Sequence, residues 1–418
     1  MEEKKKNSFF KNFMLVIITA LITCILTTIV VYNATISPRT IKSNNIIGNI
    51  VNGIAISFGE NKEEVSLENK ISDIKKKLEE TYIGDIDEKK MVDGALKGYV
   101  SALGDEYTEY LTEDDVTSIL EDVNGSYVGV GLYIAQNTAK NEILVVGVIE
   151  DSPANKAGIL VGDVVKKVDD VEYTGEQLTQ ASNKMKGNEG TNVKITVNRN
   201  NEEINFDIKR ETIKFKCVTS EKLENNIGYI KISSFDGGCA EDFEKAYNEL
   251  KNQGIQSLVI DLRNNGGGLV DESLKIAEMI VPKGSKMLIT KDKDENEKVS
   301  ISKKDPIITN TPIAILVNGY TASASEILTA AVKENTDAKV IGTQTYGKGI
   351  IQGIFLFNDQ KTGMKITIQE YYTPNHNKLH KIGIKPDIEL ELPDEWKGHL
   401  TVERQSDNQL NKAIEILK

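Results

Sequence analysis

Histidine and cysteine are scarce, with three of each in 418 residues. His376, His380 and His399 follow every other candidate motif and stand in polar surroundings, where they read as solvated loop residues. A Ser-His-Asp triad would need one of them to fold back onto a distant serine. Cys24, Cys217 and Cys239 form no CxxC and no Cys/His cluster, so neither a zinc site nor a disulfide framework is indicated. A single Cys217–Cys239 bond stays open, because spacing alone does not decide it. HExxH, P-loop and G-x-S-x-G patterns are missing, and no metal or cofactor is expected. There is no basic block beyond the first residues and the net charge is -12, which argues against nucleic acid as the main partner.

What is present is enough apolar residue for packed cores, 39% against 27% charged, in a length that accommodates two or three domains. Phe13 to Tyr32 is an uncharged apolar run of about bilayer-spanning length. Lys4, Lys5, Lys6 and Lys11 precede it, against Arg39 and Lys42 after it. The heavier basic flank places residues 1–12 in the cytoplasm, 13–32 as a single-pass membrane anchor, and the rest on the extracytoplasmic face. A cleaved signal peptide is the alternative, but the run is long for one and no clear small-x-small site follows Tyr32. Cys24 sits mid-run behind Thr23 and is not read as a lipidation site.

Residues 33–65 read as a polar linker. Residues 66–122 read as helices, with Leu67, Ile71, Ile74, Leu78 and Tyr82 at helical spacing, followed by Val92, Leu96, Val100 and Leu103. Such a unit serves packing or a homodimer contact rather than chemistry. Residues 123–213 turn to short β-rich runs around Ser152-Pro-Ala-Asn-Lys-Ala-Gly158 and Gly162-Asp163, with a helix over Leu178–Met185. That order resembles a PDZ domain. By this resemblance Gly129, Val130, Gly131 and Leu132 form a loop that binds the free C-terminal carboxylate of a peptide, which adds to the sheet as a strand. A basic residue is common in that family where Leu160 stands here, so a sensing role at that position is in doubt.

Residues 214–392 alternate strands and helices and imply a layered α/β core, and 393–418 end in a helical tail. Three motifs in this region can carry chemistry. Thr321-Ala-Ser323-Ala-Ser325-Glu326 follows a buried strand and opens a helix, where a hydroxyl gains from the positive helix end. The same Ser-x-x-Glu fits a capping box, and on this segment alone the cap is the stronger reading. Tyr346-Gly-Lys348-Gly-Ile-Ile-Gln352 places a lysine between glycines, which permits a tight turn against another backbone. An exposed lysine is protonated at neutral pH and is a poor base; only burial makes it one. Asp261-Leu-Arg-Asn-Asn-Gly-Gly-Gly-Leu269 ends a strand in a turn whose N–H groups can meet an oxyanion. Its glycines are consecutive, so it is not a dinucleotide loop.

Together, in this order, the three motifs resemble the carboxyl-terminal processing proteases, Ser-Lys dyad peptidases of bacteria and plastids. The resemblance runs from about Leu67 to the C-terminus. It takes in Ala102-Leu-Gly-Asp-Glu-Tyr-Thr-Glu-Tyr110, Tyr371-Tyr-Thr-Pro374, Gly383-Ile-Lys-Pro-Asp387 and Asp407-Asn-Gln-Leu410. It implies a crotonase-like or ClpP-like peptidase core with the PDZ domain inserted. Ser323 would be the nucleophile, Lys348 the general base and Gln352, about one helical turn on, the residue that orients the lysine. The N–H groups of Gly267 and Ala324 would form the oxyanion hole. Gly266 stands where that family usually has proline, and Asn375 where glycine is common. The implied activity is cleavage of protein substrates near their C-termini under PDZ control. The competing classes are an inert peptide-binding PDZ adaptor and an α/β enzyme of another reaction type.

Overall fold

The computed structural model describes residues 66–396 and 402–418. They fall into two units, one ending at Gly84 and one running from Asp85 to Lys418. The apolar run 13–32 and the linker 33–65 lie outside the described residues. Among the described residues no helix is long and apolar enough to cross a membrane. In the first unit, helix α1 (Leu67–Thr81) starts at Ser66, whose hydroxyl accepts the Asn69 N–H at 3.3 Å. Its apolar residues Leu67, Ile71 and Ile74 are exposed within that unit.

The second unit opens with α2 (Glu88–Ser101), capped by Asp87, then strand β1 (Glu109–Leu111) and α3 (Glu113–Asn124). A Thr112–Asp115 capping box starts α3, and Gly125 ends it at φ +63. The helical reading of residues 66–122 left out β1. Its alternation is only three residues long, and its partners, residues 363–365, lie on the other side of the PDZ region.

Strands β2 (Ser126–Gly129), β3 (Leu132–Asn137) and β4 (Glu142–Val148) come next. Helix α4 (Pro153–Ala157), β5 (Val164–Val168) and β6 (Val171–Glu172) follow. Helix α5 (Leu178–Met185), β7 (Asn192–Arg199), β8 (Glu202–Lys209) and β9 (Glu211–Lys214) complete this part. The sheet order is β3-β4-β5-β7-β8, with β6 on β5. Ile143, Val145, Val165, Ile195 and Val197 bury one face under Ala181 and Met185 of α5. Ser152 caps α4, while Asp163 accepts the Leu160 N–H at 2.9 Å and pairs with Arg199 at 2.6 Å, which accounts for the Ser152 and Gly162-Asp163 signatures. The strands β2 and β9 stand apart as a two-stranded antiparallel ribbon through which the chain enters and leaves this domain.

The core continues with β10 (Val218–Lys222), β11 (Ile227–Ile232), α6 (Cys239–Asn252), β12 (Ser257–Asp261) and α7 (Val270–Glu278). Then come β13 (Lys286–Asp292), β14 (Glu297–Ile301), β15 (Ile313–Val317), α8 (Ala324–Asn335) and β16 (Lys339–Gly342). Strands β17 (Ile350–Leu356), β18 (Gly363–Tyr372) and β19 (Ile388–Glu389) and helix α9 (Asn408–Ile416) finish it. One sheet has the order β10-β11-β12-β15-β16-β19 and is parallel from β11 onward. Leu258, Ile260, Ile315 and Val317 face α6, α7 and α8; their neighbours Val259, Ala314 and Leu316 face α9. Burial on both faces explains why β12 and β15 read as continuous apolar runs. A second sheet, β1-β18-β13-β14 with β17 on β18, was not apparent in the sequence. Cys217 and Cys239 are both buried free thiols, so the bond left open above is not formed.

Candidate active site

The carboxyl ends of β12, β15 and β16 carry the three motifs, as open α/β sheets present their reactive loops. After β15, Thr321 Oγ1 accepts the Asn318 N–H at 2.9 Å and donates to the Leu262 carbonyl at 2.8 Å. This ties the β15 turn to the β12 loop. Ser323 then opens α8 at φ +58, ψ -118, a conformation that costs a non-glycine residue about 1–3 kcal/mol. Ala322 and Ala324 are buried on either side, while Ser323 keeps partial exposure. The Ser323 N–H donates to Glu326 Oε2 at 2.9 Å, and the Glu326 N–H donates to the Ser323 carbonyl at 2.8 Å. The hydroxyl itself makes no capping hydrogen bond. The backbone of Ser323 therefore serves as the cap and its Oγ is left over.

Glu326 is fully buried. Its Oε1 accepts the Thr345 hydroxyl at 2.5 Å and the Gly347 N–H at 2.8 Å; its Oε2 accepts the N–H groups of Ser323 and Lys348, both at 2.9 Å. Four donors match the lone-pair sites of an ionised carboxylate. Burial pushes this carboxyl above the ordinary range, and the four donors oppose it. The turn around Lys348 has glycines because another segment presses on it. A Cβ at Gly349 would stand 2.3 Å from the His380 N, and one at Gly347 (φ +87) 2.9 Å from the Gly383 N. His380 is therefore half-buried rather than a solvated loop residue, and burial pulls its imidazole below the ordinary value. His376 is exposed and 2.9 Å from Glu297, and His399 lies outside the described residues.

Lys348 is half-buried. Burial pulls its ammonium below the ordinary lysine range, and the positive charge of Lys365 adds to this. Its Nζ lies 5.0 Å from the ring centroid of Tyr107. Burial, then a hydrogen bond with Tyr346, pushes the Tyr107 phenol up to about 12. Sequence reasoning gave Tyr107 no role. The only signal was its place in the Ala102–Tyr110 stretch, which pattern alone assigned to a helical region.

Gln352 lies on β17 and not a helical turn beyond the lysine, so that expectation is corrected. The Gly349–Gly353 region is held extended by antiparallel pairing with β18, which the sequence of β17 alone does not reveal. Gln352 Nε2 is buried without a hydrogen-bond partner, as is Oγ1 of its cross-strand neighbour Thr367.

The β12 loop folds over the Ser323 turn. Asn265 is fully buried, donates to the Ile232 carbonyl at 2.9 Å and accepts the Gly267 N–H at 2.8 Å. Gly267 has φ +108, and a Cβ there would stand 2.8 Å from Ser323 Cβ and 3.0 Å from the Ala324 N. Gly267 is thus brought against both Ser323 and Ala324, with its N–H turned to Asn265. The Ala324 N–H is the first of α8 and has no acceptor inside the helix. Tyr371, almost wholly buried, donates to the Ser323 carbonyl at 3.1 Å. Arg263 pairs with Asp261 at 2.6 Å and Asp407 at 2.8 Å, fixing the start of this loop to α9.

In the PDZ region, Gly129 ends β2 and Leu132 begins β3. Gly131 has φ +85, and a Cβ there would stand 2.3 Å from Ser152 Cβ. The carbonyls of Val130 and Gly131 accept the Ala154 and Ile149 N–H groups at 2.8 and 3.0 Å. Among the described residues no group of three or more His, Cys, Asp or Glu is placed to hold a metal.

Family models match three stretches of the chain. Peptidase family S41 covers residues 226–390, a PDZ domain 126–209, and the N-terminal domain of the activating protease CtpB 46–115. Carboxy-terminal processing protease CtpA of Bacillus subtilis is 32% identical over 92% of this chain and 78% of its own. A probable CtpA-like serine protease of Staphylococcus epidermidis is 36% identical over 82% of this chain and 70% of its own. The solved structure of a putative S41 protease from Bacteroides fragilis shares the fold, with TM-score 0.50 at 17% identity over 81% of this chain and 92% of that one. Fold and matches define a serine-type peptidase with a PDZ domain. Within that class, the chain belongs to the carboxyl-terminal processing protease family.

Proposed function

We infer that this protein is a membrane-anchored serine endopeptidase that cuts proteins near their C-termini with a Ser323–Lys348 dyad gated by the PDZ domain. One observation supports this most: a single buried oxygen, Glu326 Oε2, accepts the N–H groups of both Ser323 and Lys348. The lysine beside it is half-buried and below its ordinary pKa. Neutral Lys348 takes the Ser323 proton as Oγ attacks a peptide carbonyl. The tetrahedral oxyanion is met by the N–H groups of Ala324 and Gly267, the leaving amine takes the proton back from Lys348, and water hydrolyses the acyl-enzyme. Gln352 orients Lys348 through its carboxamide oxygen. In the arrangement described, Gly267 N–H is committed to Asn265 and Lys348 Nζ rests over Tyr107, so we read it as a resting state. Moving Lys348 off that ring gives up a cation–π contact of about 0.5–2 kcal/mol, within reach of a ligand-driven shift.

A serine-directed fluorophosphonate probe tests this reading against the inert-adaptor alternative. Labelling in the wild type and none in Ser323→Ala is expected; equal labelling, or none in either, defeats it. The anchor rests on residues 13–32 and their basic flank. Protease added to intact protoplasts should digest the catalytic region, and its protection until lysis would reverse the topology. Exposed Met91, Val92 and Tyr99 on α2 support a homodimer contact. Sedimentation as a monomer at micromolar concentration would remove that part.

A further inference from the structure

Side chains of the protein itself crowd the Gly129–Leu132 loop of the PDZ domain. The ring of Tyr127, on β2, lies over Gly129, where a Cβ would stand 2.7 Å from Tyr127 Cε2. Burial pushes the Tyr127 phenol up to about 12, with Tyr133 and Glu121 adding to this and the nearby Gly131 N–H opposing it. Lys186, which follows α5, covers the same ring at 5.4 Å from its centroid, and its Cγ is 3.8 Å from a Cβ placed on Gly129. Its ammonium pairs with Glu121 of α3 at 2.6 Å, and both side chains are largely shielded, at 29% and 17% exposure. Lys186 thus supplies beside this loop the positive charge that Leu160 does not supply in its own position.

The partner of Lys186 is next to a chain of backbone contacts leading to the Ser323 site. Asp122, beside Glu121, accepts the Gly237 N–H at 2.9 Å, and a Cβ on Gly237 would stand 2.1 Å from the Val123 carbonyl. Two residues earlier, the Phe235 N–H donates to the Gly267 carbonyl at 2.9 Å, and the Phe235 carbonyl accepts the Leu269 N–H at 2.8 Å. The end of α3 and the loop holding Gly267 are thus clamped to one short segment, 235–237. Tyr127 itself lies on the β2–β9 ribbon that joins the two domains, its ring 5.8 Å from that of Phe215.

We propose that Lys186 reads the terminal carboxylate of a peptide bound to the PDZ domain, and that in doing so it gives up Glu121, releasing α3 and the Gly267 loop. This deepens the PDZ-gated reading above and rests on it. The ligand is the free α-carboxylate of a peptide chain. The charge of that carboxylate, arriving at this loop, competes with Glu121 for the ammonium. A charged acceptor makes roughly twice as strong a hydrogen bond as a neutral amide, so an amidated peptide loses this contest.

The test uses the full chain carrying Ser323→Ala, so that nothing is cleaved, and a fluorescein-labelled hexapeptide ending in leucine, with a free or an amidated terminus. The parent should bind the free form about tenfold more tightly, as a difference of about 1.4 kcal/mol gives. Lys186→Met should abolish that preference while keeping the affinity for the amide, which also reports correct folding. Glu121→Gln should tighten the free form severalfold and, with Ser323 restored, raise peptide-independent cleavage, a gain that misfolding cannot produce. If the parent prefers the free form and both variants match it, the Lys186 assignment is wrong while the PDZ reading stands. If the parent does not distinguish the two termini, both fall.

Discussion

The backbone N–H groups of Ser323 and Lys348 meet at one oxygen, Glu326 Oε2, each at 2.9 Å. The two residues come from different loops, after β15 and after β16, and this carboxylate fixes the spacing of their main chains. Glu326→Gln replaces one oxygen by an NH2 that must face at least one N–H or O–H donor. The unmet donors cost about 1–3 kcal/mol each. The variant should fold with a lowered melting temperature and lose most of its kcat with little change in KM. Wild-type kcat in the folded variant would show that the carboxylate does not position the pair.

Cleavage should rise with pH as Lys348 loses its proton, with a midpoint below the ordinary lysine range because burial and then Lys365 disfavour its charge. Lys365→Met removes the repulsion, so the Lys348 pKa rises. Less of the lysine is then neutral at pH 7, and the rate falls there but recovers at higher pH. The measurement is kcat/KM against pH for both proteins. A rising limb at the same pH in both would contradict the role given to Lys348.

Neighbouring glycines should respond in opposite ways. At Gly266 a Cβ meets nothing within 4 Å, and Gly266→Ala should stabilise the fold by about 0.4–1 kcal/mol through the unfolded chain. At Gly267 a Cβ meets Ser323 Cβ at 2.8 Å and the Ala322 carbonyl at 2.9 Å, on a backbone of φ +108. Gly267→Ala should displace the Ser323 turn and reduce cleavage by at least about a hundredfold, on the scale of a lost oxyanion donor. Thermal melts and initial rates on one unfolded protein substrate separate the two effects.

Strands buried on both faces were readable from their apolar runs, Leu258–Ile260 in β12 and Ile313–Val317 in β15, and the helix over Leu178–Met185 was placed with its observed bounds. The second sheet was not. Its strand β1 pairs with β18 across the PDZ insertion, and β14 carries Glu297, Lys298 and Ser300 in five residues. Such strands are defined by partners distant in sequence, so local periodicity says little about them. The loops holding Ser323, Lys348 and Gly267 could be singled out by residue type. Tyr107 and Glu326 could not be given their contacts with Lys348, because those depend on tertiary approach. The Ser-x-x-Glu pattern did flag Glu326 as a capping partner, and the bond from the Ser323 N–H to its carboxylate bears that out.

The most direct test of the dyad is cleavage of an unfolded protein substrate by Ser323→Ala and Lys348→Ala, with thermal melts alongside. Each variant should melt close to the wild type, because neither the Ser323 hydroxyl nor the Lys348 ammonium makes a hydrogen bond that holds the described fold. Each should cut at least about a thousandfold more slowly, the scale on which losing a nucleophile or its base acts. Wild-type cleavage by either folded variant would contradict the assignment.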